Sequence, residues 1–231
     1  MIKGIKWHAD SSNKNGLANK LRRKRMIIFE EFLVNNFSSQ TNKNKKITIL
    51  DIGGSYEYWR DINCKYFNNL DITLVNISPL KIPKGMKKVT NIKSINGDGR
   101  NLSEIKNLQF DIVFSNSCIE HVGHKQEWKK MADEMKRVGR NYFLQTPNRY
   151  FPLEPHFLFP FFQFFPFRLK TFFVYHFKLG FWAKAETKEE AKVIASEINL
   201  LSKKDLKELF PDANIKCEKL FGLTKSFMVY K

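Results

Sequence analysis

The sequence contains only three cysteines, and no two of them have the spacing of a metal-binding or redox pair. Cys64, Cys118 and Cys217 are odd in number and form no Cys-x-x-Cys motif. This pattern argues against a disulfide framework and against a structural zinc site. Because unpaired thiols are typical of reducing compartments, we expect a cytoplasmic protein.

The sequence also lacks a long hydrophobic run. Met1–Gly16 is polar and has no apolar core of the kind found in secretory signals. The most aromatic segment, Phe157–Phe167, is too short to cross a bilayer and is interrupted by Pro160 and Pro166. We favour an inserted lid whose rings pack on the domain. A peripheral contact with a membrane surface or a lipid substrate is the alternative.

Acidic residues are scarce relative to basic ones. The 23 aspartates and glutamates stand against 40 lysines and arginines, which gives a formal net charge of +17. Such a charge fits nucleic acid, an anionic membrane face or an acidic substrate. The lysines are scattered along the whole chain, and scattered lysines usually form a solvated surface. We therefore favour solubility as the role of this charge.

What the sequence does contain is a series of short, β-branched strands separated by helical patterns. These strands are Ile47–Ile52, Ile72–Ile77, a shorter one near Lys88–Ile95, Phe110–Ser115 and Asn141–Thr146. Strands that alternate with helical patterns are typical of an α/β fold with a doubly wound, mostly parallel sheet. In such a sheet the carboxyl ends of the strands share one edge, and ligands bind there.

Helical patterns flank these strands. Phe29, Phe32 and Leu33 have the spacing of one helix face in an N-terminal helical segment, and Asn35–Lys46 then reads as a polar linker. His124–Val138 also has helical spacing of its apolar residues. The sequence thus predicts helices on both sides of the sheet.

We expect a single domain that spans residues 1–231. Ala185–Asn199 is predicted to be helical, Ser202 begins a capping-box-like helix start, and two closing strands are expected in Asn214–Leu220 and Ser226–Tyr230. The expected parts are an N-terminal helical cap at 1–46, a cofactor-binding core at 47–150, a lid or acceptor insertion at 151–200, and a closing helix and strands at 201–231.

The first strand runs directly into Gly53-Gly54-Ser55. Small residues at such a turn let the backbone approach a ligand closely, and a helix just beyond offers free N–H groups. A dinucleotide-binding enzyme would need Gly-x-Gly-x-x-Gly, and here Ser55 stands in place of the second glycine. The sequence therefore disfavours a nicotinamide enzyme, and the P-loop lysine motif is also absent.

This turn resembles the first motif of class I S-adenosylmethionine-dependent methyltransferases, an acidic residue followed by alternating glycines. The resemblance implies that S-adenosylmethionine is the cofactor and that Asp51, Gly53, Gly54 and Ser55 bind it. The family's second strand usually ends in an acidic residue that binds the ribose. Asn76 stands at that position and would bind the ribose more weakly, because a carboxylate accepts charge-assisted hydrogen bonds.

Two further landmarks follow in the family's order. Asp98 and Gly99 come after the third strand, where the resemblance implies an acid that binds the adenine amino group; a plain turn is the alternative. The fourth strand continues into Ser-Asn-Ser-Cys-Ile-Glu-His-Val. The resemblance implies that Ser115 and Asn116 lie beside the methionine moiety and that His121 faces the site.

The segment Leu144–His156 is similar to one in a bacterial methyltransferase subgroup associated with surface-polysaccharide or secondary-metabolite gene sets. His121, His156 and Glu154 are therefore candidates for a general base or for binding the acceptor, since a neutral histidine accepts a proton near pH 7. A pair between Glu154 and Arg149 that holds the loop is an equal alternative.

The sequence thus predicts S-adenosylmethionine-dependent methyl transfer to a small-molecule or saccharide-linked acceptor by in-line displacement. One alternative is a non-catalytic binding protein of the same fold, which Asn76 and the glycine-poor motif favour. Another is an RNA methyltransferase, which the positive charge favours. We expect no metal, although Glu120, His121 and His124 form a conceivable ligand set.

Overall fold

The computed structural model describes residues 17–42, 46–61, 69–78, 80 and 91–231, and the fold is reported for these. A seven-stranded sheet contains β1 (Ile47–Ile52), β2 (Leu70–Asn76), β3 (Ile92–Asn96), β4 (Phe110–Asn116), β5 (Gly139–Pro147), β8 (Asn214–Leu220) and β9 (Leu223–Tyr230). Two further strands, β6 (Leu153–Glu154) and β7 (Phe159–Pro160), pair as a separate hairpin. The helices are α1 (Leu17–Asn42), α2 (Tyr56–Asp61), α3 (Lys125–Val138), α4 (Phe167–His176), α5 (Lys188–Glu197) and α6 (Lys203–Leu209).

The strand order of the large sheet is β3-β2-β1-β4-β5-β9-β8. The first five strands of this order are parallel, and β9 pairs antiparallel with both β5 and β8. The mostly parallel, doubly wound α/β fold is therefore confirmed. Because β2 and β4 flank β1 on opposite sides, the chain reverses its winding direction there, and the loops after these strands open a crevice at the carboxyl edge.

Each central strand is buried on both faces, as parallel strands between helical layers should be. On β1, Ile47 and Ile49 join the apolar cluster under α1 and α2, whereas Leu50 and Ile52 join the cluster under α3 and α6. Successive side chains of a strand point to opposite faces, so the run of β-branched residues fills two cores at once.

Helix α1 covers one of these cores. Phe29, Phe32 and Leu33 are buried as their spacing predicts, and the ring of Phe29 lies 5.1 Å from that of Phe143, centroid to centroid. The expected linker from Asn35 is wrong over its first part, because α1 continues to Asn42. Phe37 explains the difference: it leaves helical geometry at φ −133° and yet is buried, so the kinked helix stays on the core.

The segment between β5 and α6 has a hydrophobic cluster of its own. Phe157, Phe162 and Trp182 are buried together with apolar residues of α4 and α5. Other rings of the same segment face outward, and Phe161 and Phe172 are 54% and 51% exposed. The Phe-rich insertion therefore packs internally and also presents an aromatic surface.

Across the described ranges, no helix combines the length and the apolar character needed to cross a membrane. Met1–Gly16, Cys64 and the first three residues of Lys88–Ile95 lie outside the described residues. The predicted third strand is present in its last part, as β3.

Candidate active site

The turn after β1 is wedged between the ends of two neighbouring strands. The backbone N–H of Gly53 donates to the carbonyl of Val75 on β2 at 2.9 Å, and Gly53 adopts φ +74°, which disfavours any other residue. A Cβ at Gly53 would also lie 2.6 Å from Cys118 Sγ in the loop after β4. Glycine is therefore needed here because the end of β2 and the loop after β4 both lie against this turn.

The acid that begins this motif is turned into the protein. Asp51 is 1% exposed, and its Oδ2 accepts a hydrogen bond from Trp59 Nε1 at 2.7 Å. A Cβ at Gly54 would overlap the Asp51 carboxylate, so only glycine fits above it. Burial raises the pKa of Asp51 to about 8, although the Trp59 hydrogen bond opposes this rise.

Ser55 and Asn76 brace the same turn. Ser55 Oγ accepts a hydrogen bond from the backbone N–H of Tyr58 at 3.2 Å, at the start of α2. Asn76 ends β2, and its Nδ2 donates to the carbonyl of Gly54 at 3.0 Å. A carboxylate could not donate this bond, so the amide in place of the family's usual acid has a local structural reason.

The loop after β3 joins the same edge. Both carboxylate oxygens of Asp98 accept hydrogen bonds from Arg100, at 2.6 Å to Nη2 and 2.9 Å to Nε. The hydrogen bond from Arg100 holds the pKa of Asp98 below its usual value. Arg100 Nη1 also donates to the carbonyl of Val122 at 3.2 Å, and a Cβ at Gly99 would lie 2.5 Å from Ile52 Cγ2. These contacts bring the loop after β3 against the end of β1 and against the loop after β4.

The end of β4 completes the edge. Ser115 is buried, and its hydroxyl donates to the carbonyl of Ile52 at 3.2 Å. Asn116 is partly exposed, whereas Ser117 adopts φ +53° and donates from its hydroxyl to Gln145 Oε1 at 2.9 Å. Ser115 and Ser117 therefore each use their hydroxyl in a hydrogen bond to a neighbouring strand. Within the described residues, the side chain of Asn116 makes no such bond.

Two histidines and two glutamates form a cluster that follows directly from this loop. Glu120 and His121 lie in the short 3₁₀ helix Ile119–His121, and Glu154 and His156 lie on and after β6. The rings of His121 and His156 meet edge to face at 5.0 Å between centroids. Three of the four residues are at most 1% exposed, and only His121 is less buried.

Glu154 holds His156 in a fixed orientation. Glu154 Oε1 lies 2.7 Å from His156 Nδ1, and Oε2 accepts from the backbone N–H groups of His156 and Phe157 at 2.8 and 2.6 Å. The alternative pairing of Glu154 with Arg149 is wrong, because within the described residues the partners of Glu154 are His156 and Phe157 and it forms no salt bridge with Arg149. Burial lowers the pKa of His156, but the hydrogen bond with Glu154 and the charges of Glu154, Glu120 and Glu197 together keep that pKa above its usual value.

Burial and the neighbouring His156 lower the pKa of His121 to about 3, so His121 is neutral at pH 7. Burial likewise raises the pKa of Glu120. Glu120 Oε2 accepts a hydrogen bond from Thr146 Oγ1 at 2.9 Å, and Oε1 lies 4.0 Å from His156 Nε2. His124, in contrast, is the N-cap residue of α3 and is not one of the residues that cluster.

Sequence reasoning missed several residues that shape this site. Trp59, Arg100 and Thr146 each bind a carboxylate of the candidate set, and none was singled out. Arg100 had a usable signal, since it follows Asp98 in a tight turn. Trp59 and Thr146 had none, because their partners lie on other elements.

Comparison with known proteins agrees with this architecture. A family model described as "Methyltransferase domain" matches residues 50–141. The magnesium protoporphyrin IX methyltransferase of Synechocystis PCC 6803, solved with bound SAH, is 10% identical, with 93% of this chain and 86% of that chain covered at a TM-score of 0.54. The 1,6-didemethyltoxoflavin-N1-methyltransferase of Burkholderia thailandensis is 12% identical, with 91% and 76% covered at a TM-score of 0.51. At these identities the structural likeness shows the fold alone, and no curated protein matches the sequence.

Residues 50–141 thus carry a methyltransferase domain, set in a sheet of the class I topology. This domain is that of an S-adenosylmethionine-dependent methyltransferase, and S-adenosylmethionine is its cofactor.

Proposed function

We propose that this enzyme methylates a small-molecule or saccharide-linked acceptor in the cytoplasm. The observation that carries the proposal is the meeting of the loops after β1, β3 and β4 beside the Glu120–His121 turn. Two structurally similar enzymes are named for small acceptors, one for magnesium protoporphyrin IX and the other for 1,6-didemethyltoxoflavin. The segment around Glu154 resembles a subgroup associated with polysaccharide gene sets, which supports a sugar-linked acceptor.

The polar groups at this edge suit a nucleoside with an amino-acid tail. We assign the backbone at Gly53, Gly54 and Ser55 to the amino-acid tail of the cofactor. Asp51 would support this contact from beneath the turn. Asn116 is partly exposed and Ser115 lies next to it, so this pair suits the methionine end.

The ribose and adenine are assigned to the neighbouring loops. Asn76 would contact the ribose while its Nδ2 stays on Gly54. Asp98 would accept from the adenine amino group, because its side chain stays 36% exposed although the backbone N–H and the guanidinium of Arg100 both donate to it. Gly99 would keep this loop close to β1.

When bound, S-adenosylmethionine supplies an electrophilic methyl group on its sulfonium. We assign His121, His156 and Glu154 to the acceptor, which they would hold in line and whose proton they would help to remove. Correct positioning alone lowers a barrier of this kind by roughly 7–11 kcal/mol. The residues of the cluster are pre-arranged for this, since Glu154 fixes the ring of His156.

Calorimetry with S-adenosylmethionine tests the cofactor assignment. Asp98→Ala should raise the dissociation constant about tenfold or more, because a hydrogen bond to a charged group is lost. Gly53→Ala should weaken binding strongly, because its Cβ would collide with Cys118 Sγ.

Matched controls exist for both variants. Gly222 also has a positive φ, +78°, but a Cβ there meets nothing within 4 Å, so Gly222→Ala should leave cofactor binding unchanged. Asp133→Ala on the exposed face of α3 is the control for Asp98. Absence of both heat and thermal shift with the wild type at saturating cofactor would leave the non-catalytic alternative. Salt-sensitive binding of RNA would favour the RNA alternative instead.

We also propose a peripheral membrane contact through the aromatic surface of the insertion. Phe161, Phe167, Phe172 and Phe177 are each at least 50% exposed. Exposed aromatic rings next to basic side chains suit the headgroup region of an anionic bilayer. Such a contact would bring the active-site edge close to lipid-linked acceptors.

A further inference from the structure

Three potential metal ligands converge beside the cofactor edge. Glu120, His121 and His156 each offer one ligand atom, and these atoms all lie within 4.8 Å of one another. The set was not expected from the sequence, where the conceivable partner of Glu120 and His121 was His124. The chain returns along β5 and β6 and places His156 there instead.

One oxygen of Glu120 is unusual. Glu120 is fully buried, and within the described ranges no hydrogen-bond donor reaches its Oε1. The nearest cationic candidate, His156 Nε2, is 4.0 Å away, which is beyond hydrogen-bond distance. A buried carboxylate oxygen without a partner is costly. The distance is close to the spacing of about 3.4 Å between two ligand atoms that bind one zinc ion at about 2.1 Å in tetrahedral geometry.

The surroundings of these side chains match the outer contacts of metal sites. A metal-binding histidine usually donates its other ring nitrogen to a carboxylate, which fixes the ring and its tautomer. Glu154 Oε1 makes this contact with His156 Nδ1 at 2.7 Å, so Nε2 is the atom that faces Glu120. Ligating carboxylates are in turn hydrogen-bonded, and Thr146 Oγ1 donates to Glu120 Oε2 at 2.9 Å.

We propose that Glu120, His121 and His156 bind one divalent transition-metal ion of the zinc type. Two imidazoles and one carboxylate are the ligand set of catalytic zinc sites, which keep a fourth position open. His121 is the least buried of the three, so an acceptor would reach the ion from its side. Glu154 is a positioning residue that acts through His156.

The role of the ion at the acceptor rests on the proposed function, whereas its binding does not. A hydroxyl acceptor bound at the fourth position loses its proton to solvent more easily, because the ion stabilises the alkoxide. The acceptor oxygen then takes the methyl group, the carbon–sulfur bond breaks, and the products are the methyl ether, S-adenosylhomocysteine and one proton.

Metal binding is measured on the full chain after removal of any histidine tag and dialysis against a chelator. We expect the wild type to bind one equivalent of Zn²⁺ by calorimetry, and Co²⁺ to give the visible absorption of a tetrahedral site. Glu120→Gln keeps the shape of the side chain and an oxygen for Thr146, and His121→Gln changes the least buried ligand. Each should weaken Zn²⁺ binding more than Glu154→Gln, which should cost about 10–100-fold as an outer contact.

His124→Ala is the matched control, because His124 makes no side-chain cap to α3. It should bind Zn²⁺ like the wild type. Added azide should shift the Co²⁺ spectrum if the fourth position is open, and an unchanged spectrum would overturn the role at the acceptor.

The site is overturned if the wild type binds S-adenosylmethionine but neither Zn²⁺ nor Co²⁺, or if Glu120→Gln and His121→Gln bind Zn²⁺ as tightly as the wild type. Zn²⁺ binding without cofactor binding would instead retain the site and remove the proposed function. Should a variant not fold, the stoichiometry and spectrum of the wild type still decide.

Discussion

At the scale of single residues, the carboxylate of Asp51 occupies an unusual environment. It begins the glycine motif, yet it lies beneath the turn, bonded to Trp59 and covered by Gly54. Asp51 therefore supports the turn from inside, and a direct contact of its side chain with the cofactor stays a prediction. A second acid of the same site, Asp98, is held by Arg100 at the edge.

The buried state of Asp51 predicts a pH dependence of stability. Its pKa is about 8 in the folded protein and near 3.8 in the unfolded chain, so the folded state holds more protons between these values. Stability should therefore fall as pH rises through this window, by up to about 1.4 kcal/mol per pH unit, and level off above pH 8. Urea unfolding at pH 5, 6, 7 and 8 measures the slope.

Asp51→Asn removes the titrating group, and its unfolding free energy should vary less over the same range. Asp133→Asn, on the exposed face of α3, should keep the slope of the wild type. Parallel curves for the wild type and Asp51→Asn would show that Asp51 does not titrate in this window.

Residue types and order in the sequence were enough to nominate His121, His156 and Glu154. They were not enough to predict which of these side chains contact one another. The contact of His156 with Glu120 depends on how the chain turns after β5, and local sequence does not encode that turn. Trp59 bonds Asp51 because α2 folds back over β1, which is likewise a tertiary effect.

At the scale of elements, the strands with the strongest local signal were predictable. β1 and β4 are short, β-branched and buried on both faces, and periodicity also identified α3. The hairpin of β6 and β7 was not foreseen, because a Phe-rich segment has no alternation that distinguishes a strand from a loop. The division of the chain into four parts stays a prediction.

The capping box of α6 was foreseen from Ser202, and Asp205 completes it. Asp205 N–H donates to Ser202 Oγ at 3.2 Å, and Ser202 N–H donates to Asp205 Oδ2 at 2.8 Å. Ser202→Ala should lower the free energy of unfolding by about 1 kcal/mol, because an N-cap bond is lost. Lys204→Ala on the exposed side of the same helix should change it by less than about 0.5 kcal/mol. Equal losses in urea unfolding would show that the cap bond is not the cause of the effect, since alanine itself favours the helix.

At the scale of the whole molecule, a formal charge of +17 combines with an aromatic surface on one insertion. Charge draws a protein toward anionic lipid over about one Debye length, and only apolar contact then holds it. The two features together support the proposed membrane contact more strongly than either does alone.

Flotation with vesicles tests this contact. The wild type should bind anionic vesicles more than zwitterionic ones, and the combined Phe161→Ser and Phe172→Ser variant should bind about tenfold less, because two exposed rings lose their apolar contact. Phe221→Ser is the matched control, since Phe221 is 90% exposed but lies on the β8–β9 hairpin. Equal flotation of all three proteins would point to charge alone.

The position of β9 has a consequence for synthesis on the ribosome. Although it follows every other strand of the large sheet in sequence, β9 lies between β5 and β8 and buries Phe227, Met228 and Val229. A nascent chain therefore exposes the edge of β5, and leaves β8 without its neighbour, until residues 223–230 have left the exit tunnel. During that interval the growing polypeptide is a natural client for chaperones that shield open strand edges.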